Sequence, residues 1–214
     1  MTSTNIVTIL KQVGAVITDS HFVYTSGKHG SVYINKDTLY PHTRLASRVG
    51  SMIAQKFKTR TIDVVAGPAL GGIILSQWTA FHLSHLKRKN ILGVYTEKDD
   101  QGNQIFRRGY DQLIHGKKVL IVEDLTTTGG SVAQVVASVK QAGGQVTGVC
   151  VMVNRDPQNV TSRVVGAPFT ALGAIKADAF DATDCPLCRN HIPINTQVGH
   201  GRDFLARKSL QSGK

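Results

Sequence analysis

The sequence predicts an α/β fold with a central, mostly parallel sheet flanked by helices. Short apolar runs such as Val119–Val122 have the length of buried strands, and they alternate with longer segments of helical periodicity. This alternation is typical of parallel strands joined by crossover helices. The 214 residues contain no internal repeat and no low-complexity linker, so we predict a single domain, residues 1–214.

The N-terminal third contains two predicted helices. Ile6, Ile9, Leu10 and Val13 lie on one face of the first helix, after a capped start. The segment His21 to Asp37 alternates poorly and predicts a loop with short strands. The second helix is "TRLASRVGSMIAQKF", whose helical face carries the apolar residues Leu45, Val49, Met52, Ile53 and Phe57.

The remaining elements alternate along the chain. "IDVVAGPALGGIILSQWTAF" predicts a strand, a glycine loop and a helix, and "ILGVYTEKDDQGNQIFRRGY" predicts a strand that runs into a hairpin turning at Asp99 to Asn103. After Val119–Val122, the spacing of Val132, Val135, Val136 and Val139 predicts a helix that Gly143 ends. Two strands follow, "QVTGVCVMVNRD" and "FTALGAI", and the tail from Asp184 is predicted to be loop-rich and to pack against the body.

Composition bears on the class of function, although the charge alone does not decide it. The chain carries 25 Lys and Arg against 14 Asp and Glu, a net charge of +11, but aromatic residues make up only 6% and no nucleic-acid motif occurs. A highly phosphorylated small ligand accounts for the positive charge equally well. No apolar run is long enough to span a membrane, the start lacks a signal peptide, and three cysteines are too few for a disulfide framework. We therefore expect a cytoplasmic protein.

The segment "VLIVEDLTTTGGSV" is the most informative stretch of the chain. Two acids follow a buried strand, and hydroxyl residues and glycines then lead into a helix whose N-terminus attracts anions. Acids beside an anion site indicate a ligand that also carries hydroxyl groups or a metal, such as a sugar phosphate. A second glycine loop, "AGPALGG", follows another strand, and neither loop contains the lysine of a Walker motif.

These motifs resemble those of the type I phosphoribosyltransferases. "VLIVEDLTTTGGS" is similar to that family's phosphoribosyl pyrophosphate (PRPP) signature. Five other segments occur along the chain in the order found in the orotate branch of the family: "YTSGKHGSVYIN", "AGPALGG", "FRRGYD", "VNRD" and "CPLC". The resemblance implies the type I phosphoribosyltransferase fold, with a small hood from about residues 1–40 and 180–214 and a mobile hairpin flap.

The resemblance also implies a reaction in which ribose 5-phosphate moves from PRPP to orotate, giving orotidine 5′-phosphate. Glu123 and Asp124 would hold the ribose diol near a cationic transition state. Mg²⁺ would bind mainly through PRPP and neutralise the leaving pyrophosphate, with no protein-held metal. A cis peptide is expected at Ala69–Leu70. The implied PRPP contacts are Glu123, Asp124, Leu125, Thr126, Thr127, Thr128, Gly129, Gly130, Ser131, Leu70 and Gly71.

Two further sets of residues take roles by resemblance. Arg107 and Arg108 lie in the flap, where they would bind pyrophosphate in closure over the site; two solvated arginines are the alternative. Arg155 would bind the orotate carboxylate, and a pairing with Asp156 is its alternative. The other implied base contacts are Thr127, Lys28, Tyr33 and Ile34. A neighbouring subunit often contributes to such a site, so we expect a homodimer with shared active sites.

Several residues depart from the family pattern. Thr25 stands where many members have lysine, and Gly30–Ser31 where they have Ser-Pro, which leaves base specificity open. The tail offers Cys185, Cys188, His191 and His200, formally enough for zinc, but their spacing matches no familiar finger. Two alternatives remain at this point: transfer to another nucleobase, or a non-catalytic regulator of the same fold that senses PRPP and binds RNA.

Overall fold

A computed structural model describes residues 5–212 and divides the chain into two compact units. Among the described residues, the first unit combines residues 5–9 with residues 39–176, and the second combines residues 10–38 with residues 177–212. Residues 1–4, where part of the predicted N-terminal hood falls, lie outside the described residues. The single domain of residues 1–214 stays a prediction.

The helices and strands follow the predicted alternation. The helices are α1 (Ile6–Gln12), α2 (Thr43–Lys56), α3 (Gly71–Lys87), α4 (Tyr110–Ile114), α5 (Gly130–Gln141), α6 (Ser162–Val165), α7 (Pro186–Arg189) and α8 (Gly201–Ser212). The strands are β1 (Val16–Ile17), β2 (Phe22–Val23), β3 (His29–Gly30), β4 (Tyr33–Ile34), β5 (Val64–Pro68), β6 (Leu92–Lys98), β7 (Gln104–Phe106), β8 (Lys118–Thr126), β9 (Gln145–Asn154) and β10 (Phe169–Ala174). Short 3₁₀ turns occupy Lys36–Thr38 and Ala182–Asp184.

The first unit is built on a six-stranded sheet in the order β10-β9-β8-β5-β6-β7. All neighbouring pairs are parallel except β6 and β7, which form the predicted hairpin at the sheet edge. Helices α3 and α5 pack on the sheet, and α2 packs on α3. The predicted α/β fold with a mostly parallel sheet flanked by helices is confirmed.

The core of the first unit is made largely of valine and isoleucine from the strands and from one face of α5. The predicted apolar residues of α5, Val132, Val135, Val136 and Val139, are all buried, and they pack in one cluster with Val119 and Ile121 of β8 and their neighbours. Branched side chains are stiff and fill a pleated surface well, so this composition suits a sheet covered by a helix.

The second unit contains only short strands. Strand β1 pairs with β4 and β2 with β3, both antiparallel and each over two residues. The prediction that its tail is loop-rich is wrong at the end of the chain, because α8 is a helix of 12 residues. Its apolar residues are too few to give a clear helical period; Phe204 anchors it by placing its ring 4.8 Å from the ring of His29.

No helix among residues 5–212 has both the length and the apolar character needed to span a membrane.

Candidate active site

The candidate site of the first unit lies where β5, β8 and β9 end. These strands are parallel neighbours, so their carboxyl ends meet at one edge of the sheet. In open α/β sheets this edge is where ligands bind. The two glycine-containing loops of the sequence, after β5 and after β8, both begin there.

Strand β8 is longer than the sequence suggests. The apolar run predicted a strand ending at Val122, followed by a loop from Glu123 to Gly130. The structure continues β8 to Thr126, because Glu123 pairs with Val151 and Thr126 with Asn154 on β9. The acids are therefore part of the sheet, and the loop proper is confined to a few residues before α5. A carboxylate on a strand is positioned more rigidly than one on a loop.

Both acids are buried and hydrogen-bonded. Glu123 is 7% exposed and Asp124 is 3% exposed. Glu123 Oε1 accepts the backbone N–H of Asp124 at 2.9 Å, and its Oε2 lies 3.4 Å from the hydroxyl of Ser131. Asp124 Oδ1 accepts the N–H of Leu125 at 2.6 Å. Desolvated acids kept at a strand end have no role in packing the core, which favours a ligand-binding role.

The loop after β5 meets Asp124. The hydroxyl of Tyr40 donates to Asp124 Oδ2 at 2.8 Å. A Cβ atom added to Gly71 would collide with that carboxylate oxygen and with the Tyr40 hydroxyl. Gly71, the first residue of α3, is therefore in close contact with the acid at the end of β8. The two motifs that the sequence singled out meet at this edge of the sheet.

The loop after β5 has the cis peptide bond predicted at Ala69–Leu70. The N–H of Ala69 donates to Thr96 O on β6 at 2.8 Å, which ties the loop to the neighbouring strand. Leu70 is 80% exposed, although it is a large apolar residue. An exposed backbone segment at the start of a helix is available to a ligand.

The loop before α5 is shaped by its own hydroxyl groups. Thr126 is buried, and its Oγ1 accepts the N–H of Gly129 at 3.0 Å. Gly129 has φ of 80°, a left-handed conformation that favours glycine. Thr127, Thr128, Gly130 and Ser131 are exposed. Thr126 therefore holds the turn, while the following residues face solvent at the N-terminus of the helix, where an anion is stabilised.

Arg155 follows β9 at the same edge. Its backbone N–H donates to Thr126 O at 2.9 Å, which joins it to the loop before α5. The carboxylate of Asp156 accepts two hydrogen bonds from Asn159, from its backbone N–H at 3.2 Å and from its side chain at 2.9 Å. Asp156 thus stabilises the turn that follows, and Arg155 is half-buried beside it.

The predicted hairpin turn is present between β6 and β7. Asp99 accepts hydrogen bonds from the N–H groups of Gln101 and Asn103. The backbone N–H of Asn103, and then its side-chain amide, lower the pKa of Asp99, so this carboxylate is charged at neutral pH. A charged acceptor strengthens the hydrogen bonds that define the turn.

The two arginines of the hairpin differ in their surroundings. Arg108 adopts a left-handed φ of 58°, forms an ion pair with Glu97 of β6, and lies over the ring of Tyr95 at 5.9 Å. Arg107 is exposed. Arg108 is thus engaged within its own hairpin in this conformation, and use of its charge for a ligand requires exchange of the Glu97 partner.

Three of the predicted base contacts belong to the second unit. Lys28 forms an ion pair with Asp181 at 3.6 Å, the backbone of Tyr33 and Ile34 pairs with β1, and the side chain of Ile34 is buried. The structure places these residues together in one unit, and it places Arg155 and Thr127 together in the other.

The departures from the family pattern have local explanations. A Cβ at Gly30 would collide with the Tyr24 hydroxyl and would lie 2.5 Å from Asp178 O, so glycine is required there. Thr25 Oγ1 lies 3.2 Å from His200 Nε2. Both positions serve contacts within the second unit.

Sequence reasoning missed two polar residues of the site. Tyr40 precedes α2 and carries no motif, and its link to Asp124 spans 84 positions. Asn154, at the end of β9, is 4% exposed; its side chain accepts the N–H of Asp156 and donates to Val160 O. The motif "VNRD" includes Asn154, but only Arg155 was assigned a role from it. The available signal was a polar amide side chain directly after the apolar run of β9.

Changing Gly71 to alanine should disrupt the junction of the two loops. The added Cβ must displace the Asp124 carboxylate or the Tyr40 hydroxyl, so we expect activity to fall by at least about tenfold. Gln55→Ala, at an exposed position of α2 outside the two loops, serves as control and should keep the activity of the wild type. Unchanged steady-state kinetics in a folded Gly71→Ala protein would show that the position of Asp124 is unimportant.

Comparison with known proteins agrees with this geometry. The family model described as a phosphoribosyl transferase domain matches residues 35–163. An orotate phosphoribosyltransferase of Caldicellulosiruptor bescii is 37% identical over 186 residues, covering 87% of this chain and 92% of the relative. One from Caldanaerobacter subterraneus is 34% identical, covering 84% of this chain and 88% of the relative.

A solved structure shares the fold. The orotate phosphoribosyltransferase of Mycobacterium tuberculosis, in complex with Fe(III) dicitrate, superimposes with a TM-score of 0.63 at 20% identity, covering 79% of this chain and 95% of that chain. At this level of identity the similarity is one of architecture.

Proposed function

The chain belongs to the phosphoribosyltransferase family, and from that premise we propose that it transfers ribose 5-phosphate from PRPP to orotate. In this reaction a ring nitrogen of orotate loses its proton and bonds to C1 of the ribose, and the C1–O bond to pyrophosphate breaks with its electron pair leaving on pyrophosphate. The products are orotidine 5′-phosphate and pyrophosphate. The observation that carries the proposal is the buried acid pair of β8, of which Asp124 lies against Gly71 at the start of α3.

The acids suit the sugar. Carboxylates accept the two protons of a ribose diol, and their negative charge stabilises the cationic character that develops at C1. Asp124 is the better placed, because its carboxylate lies against Gly71 of the loop after β5 and accepts the hydroxyl of Tyr40. Glu123 has both oxygens directed at groups of its own segment, the N–H of Asp124 and the hydroxyl of Ser131. We assign Asp124 the leading role and Glu123 a supporting one.

The exposed residues at the start of α5 and just before it are proposed to bind the 5-phosphate, and Leu70 and Gly71 to bind the pyrophosphate. Backbone N–H groups and hydroxyls at a helix N-terminus bind phosphate without a lysine. Leu125 and Thr126 shape this loop from β8, while the exposed residues Thr127, Thr128, Gly130 and Ser131 present polar groups to solvent.

Magnesium fits this site as a companion of the ligand. It prefers oxygen donors and retains water or phosphate oxygens rather than a cage of side chains. Among residues 5–212, no group of three or more carboxylates converges on one point. The oxygens of PRPP would therefore hold the ion, with the acids of β8 nearby, and the bound ion would neutralise charge on the leaving pyrophosphate.

The base would be recognised through its carboxylate. Orotate differs from uracil by that group, and the planar guanidinium of Arg155 matches it with two hydrogen bonds. Thr127 is exposed, and it directly follows Thr126, whose carbonyl accepts the backbone N–H of Arg155. Lys28 and the backbone near Tyr33 and Ile34 remain candidates from the second unit.

The hairpin arginines are proposed to bind pyrophosphate in a closed state that excludes water. Arg107→Ala should raise the KM for PRPP by about tenfold or more and leave the melting temperature nearly unchanged, because exposed arginines contribute little to the fold. Arg108→Ala should act in the same direction. Glu97→Gln removes the charged partner of Arg108, and so separates the ion pair within the hairpin from the proposed binding of pyrophosphate. Arg60→Ala, at an exposed arginine, serves as control. Wild-type PRPP kinetics in both Arg107→Ala and Arg108→Ala would show that these arginines are solvated side chains of the hairpin that do not bind PRPP.

One assay tests the function. The purified chain is incubated with PRPP, Mg²⁺ and one base at a time, from orotate, uracil, adenine, guanine and hypoxanthine, and pyrophosphate release is measured. We expect turnover with orotate alone. Turnover with another base and not orotate would assign a sister enzyme. No base-dependent release, together with a salt-sensitive RNA complex, would assign the non-catalytic regulator.

We further propose that the chain acts as a homodimer in the cytoplasm. The exposed hairpin arginines are consistent with a flap that serves a neighbouring subunit. Light scattering on the purified chain measures the mass, and a monomer that is fully active would contradict shared sites.

A further inference from the structure

The second unit contains a cluster of metal-binding side chains that is separate from the β8 acids. His21, His29, Cys185 and Cys188 each contribute one ligand atom, and these atoms all lie within 4.8 Å of one another. Two come from the N-terminal segment and two from the C-terminal segment. The sequence had suggested Cys185 and Cys188 with His191 and His200; both of those histidines are exposed and lie outside the cluster.

We propose that these four residues bind one Zn²⁺ ion, which joins the two chain segments of this unit. Two thiolates and two imidazoles form a donor set that selects zinc in tetrahedral geometry. Four protein ligands leave no position for water, so the ion has a structural role. On binding, each cysteine thiol releases its proton and the imidazoles bind through lone pairs, so two protons leave for each ion bound.

The distances fit a tetrahedral ion. Zinc bonds of about 2.05 Å to nitrogen and about 2.3 Å to sulfur place these atoms about 3.6 Å apart. Cys185 Sγ and Cys188 Sγ lie 3.7 Å and 3.8 Å from His21 Nε2, and Cys188 Sγ lies 3.4 Å from His29 Nδ1. His21 Nε2 and His29 Nδ1 are 2.8 Å apart, so binding requires them to separate by about 0.5 Å.

The tautomer of His21 is fixed by its surroundings. Its Nδ1 lies 2.8 Å from the carbonyl oxygen of Ile192, which can only accept, so Nδ1 carries the proton. In a neutral imidazole, Nε2 then presents its lone pair to the cluster. A histidine ligand that donates its other N–H to a backbone carbonyl is the usual second contact in zinc sites.

The size of the unit supplies a reason for the ion. It has fewer than 70 residues in two separate segments, and its strands are two residues long. A core of this size supplies little stability, and small folds commonly add a metal or disulfides. The ligands connect positions more than 150 residues apart in sequence, which is where a cross-link restricts the unfolded chain most.

Metal analysis of the full chain, purified under reducing conditions without a histidine tag, tests the proposal. We expect about one zinc per chain in the wild type and at least about tenfold less in Cys185→Ser/Cys188→Ser. His191→Ala/His200→Ala is the matched control and should keep the metal. Cys150→Ser should keep it too, because that cysteine is buried in β9 of the first unit and lies outside the cluster.

A second measurement does not depend on the variants folding. Wild-type chain stripped by chelation and titrated with Co²⁺ should develop the visible bands of a tetrahedral ion and a thiolate charge-transfer band, and Zn²⁺ should abolish both. Its melting temperature should fall on stripping and recover with Zn²⁺. Absence of bound zinc after titration, an octahedral Co²⁺ spectrum, or loss of metal in the His191→Ala/His200→Ala control would overturn the proposal.

Discussion

Replacing Asp124 with asparagine should lower kcat by about 100-fold or more while leaving the fold intact. The carboxylate loses its charge at the point where positive character develops on the ribose, and removal of one such electrostatic contact costs about 10²–10³-fold in rate. Steady-state kinetics with orotate and PRPP measure the loss, and thermal unfolding reports the fold.

The structure explains why asparagine should be tolerated. Its side-chain oxygen can still accept the N–H of Leu125, and its amide can donate to the Tyr40 hydroxyl, which is able to act as acceptor. Both hydrogen bonds of the side chain therefore survive, and the substitution isolates the charge. Asp111→Asn makes the same change at an exposed carboxylate of α4 and should leave kcat unchanged.

A folded Asp124→Asn protein with the kcat of the wild type would sink the assignment of the β8 acids to the ribose. Glu123→Gln should have a smaller effect, because Glu123 accepts hydrogen bonds from its own segment.

Replacing Arg155 with alanine should raise the KM for orotate by about 10–100-fold and change the KM for PRPP by no more than about twofold. Loss of a charge-assisted contact to a carboxylate costs about 1.5–3 kcal/mol, which corresponds to this range. The KM for orotate alone should change, because Arg155 contacts Thr126 through its backbone N–H, which the substitution retains.

Lysine at this position should recover only part of the loss, since a point charge cannot reproduce two parallel hydrogen bonds. Arg163→Ala, at an exposed arginine of α6, controls for the change in net charge. Equal losses for orotate and PRPP in Arg155→Ala would indicate that the residue supports the loop rather than the base. Unchanged orotate kinetics in Arg155→Ala would show that Arg155 does not bind orotate.

The sequence by itself determined the strands of the central sheet, the longer helices that cover it, and their order along the chain. The valine spacing of α5 predicts its buried face, because a helix repeats every 3.6 residues. The apolar run of β8 predicts a strand buried on both faces, because such a strand is continuously apolar. The acids and glycines after the strands then predict a site, since parallel strands bring their carboxyl ends to one edge. These are local patterns, and they can be read without knowing how the chain returns.

The tertiary structure decided what lies against what. The contact of Tyr40 with Asp124, the fit of Gly71 against the same carboxylate, and the grouping of His21 and His29 with Cys185 and Cys188 all join residues far apart in sequence. No period or spacing encodes such meetings, because they depend on where packing places whole segments. For the same reason the cysteines drew attention to the nearby His191 and His200, while the histidines that lie beside them are more than 150 residues away along the chain.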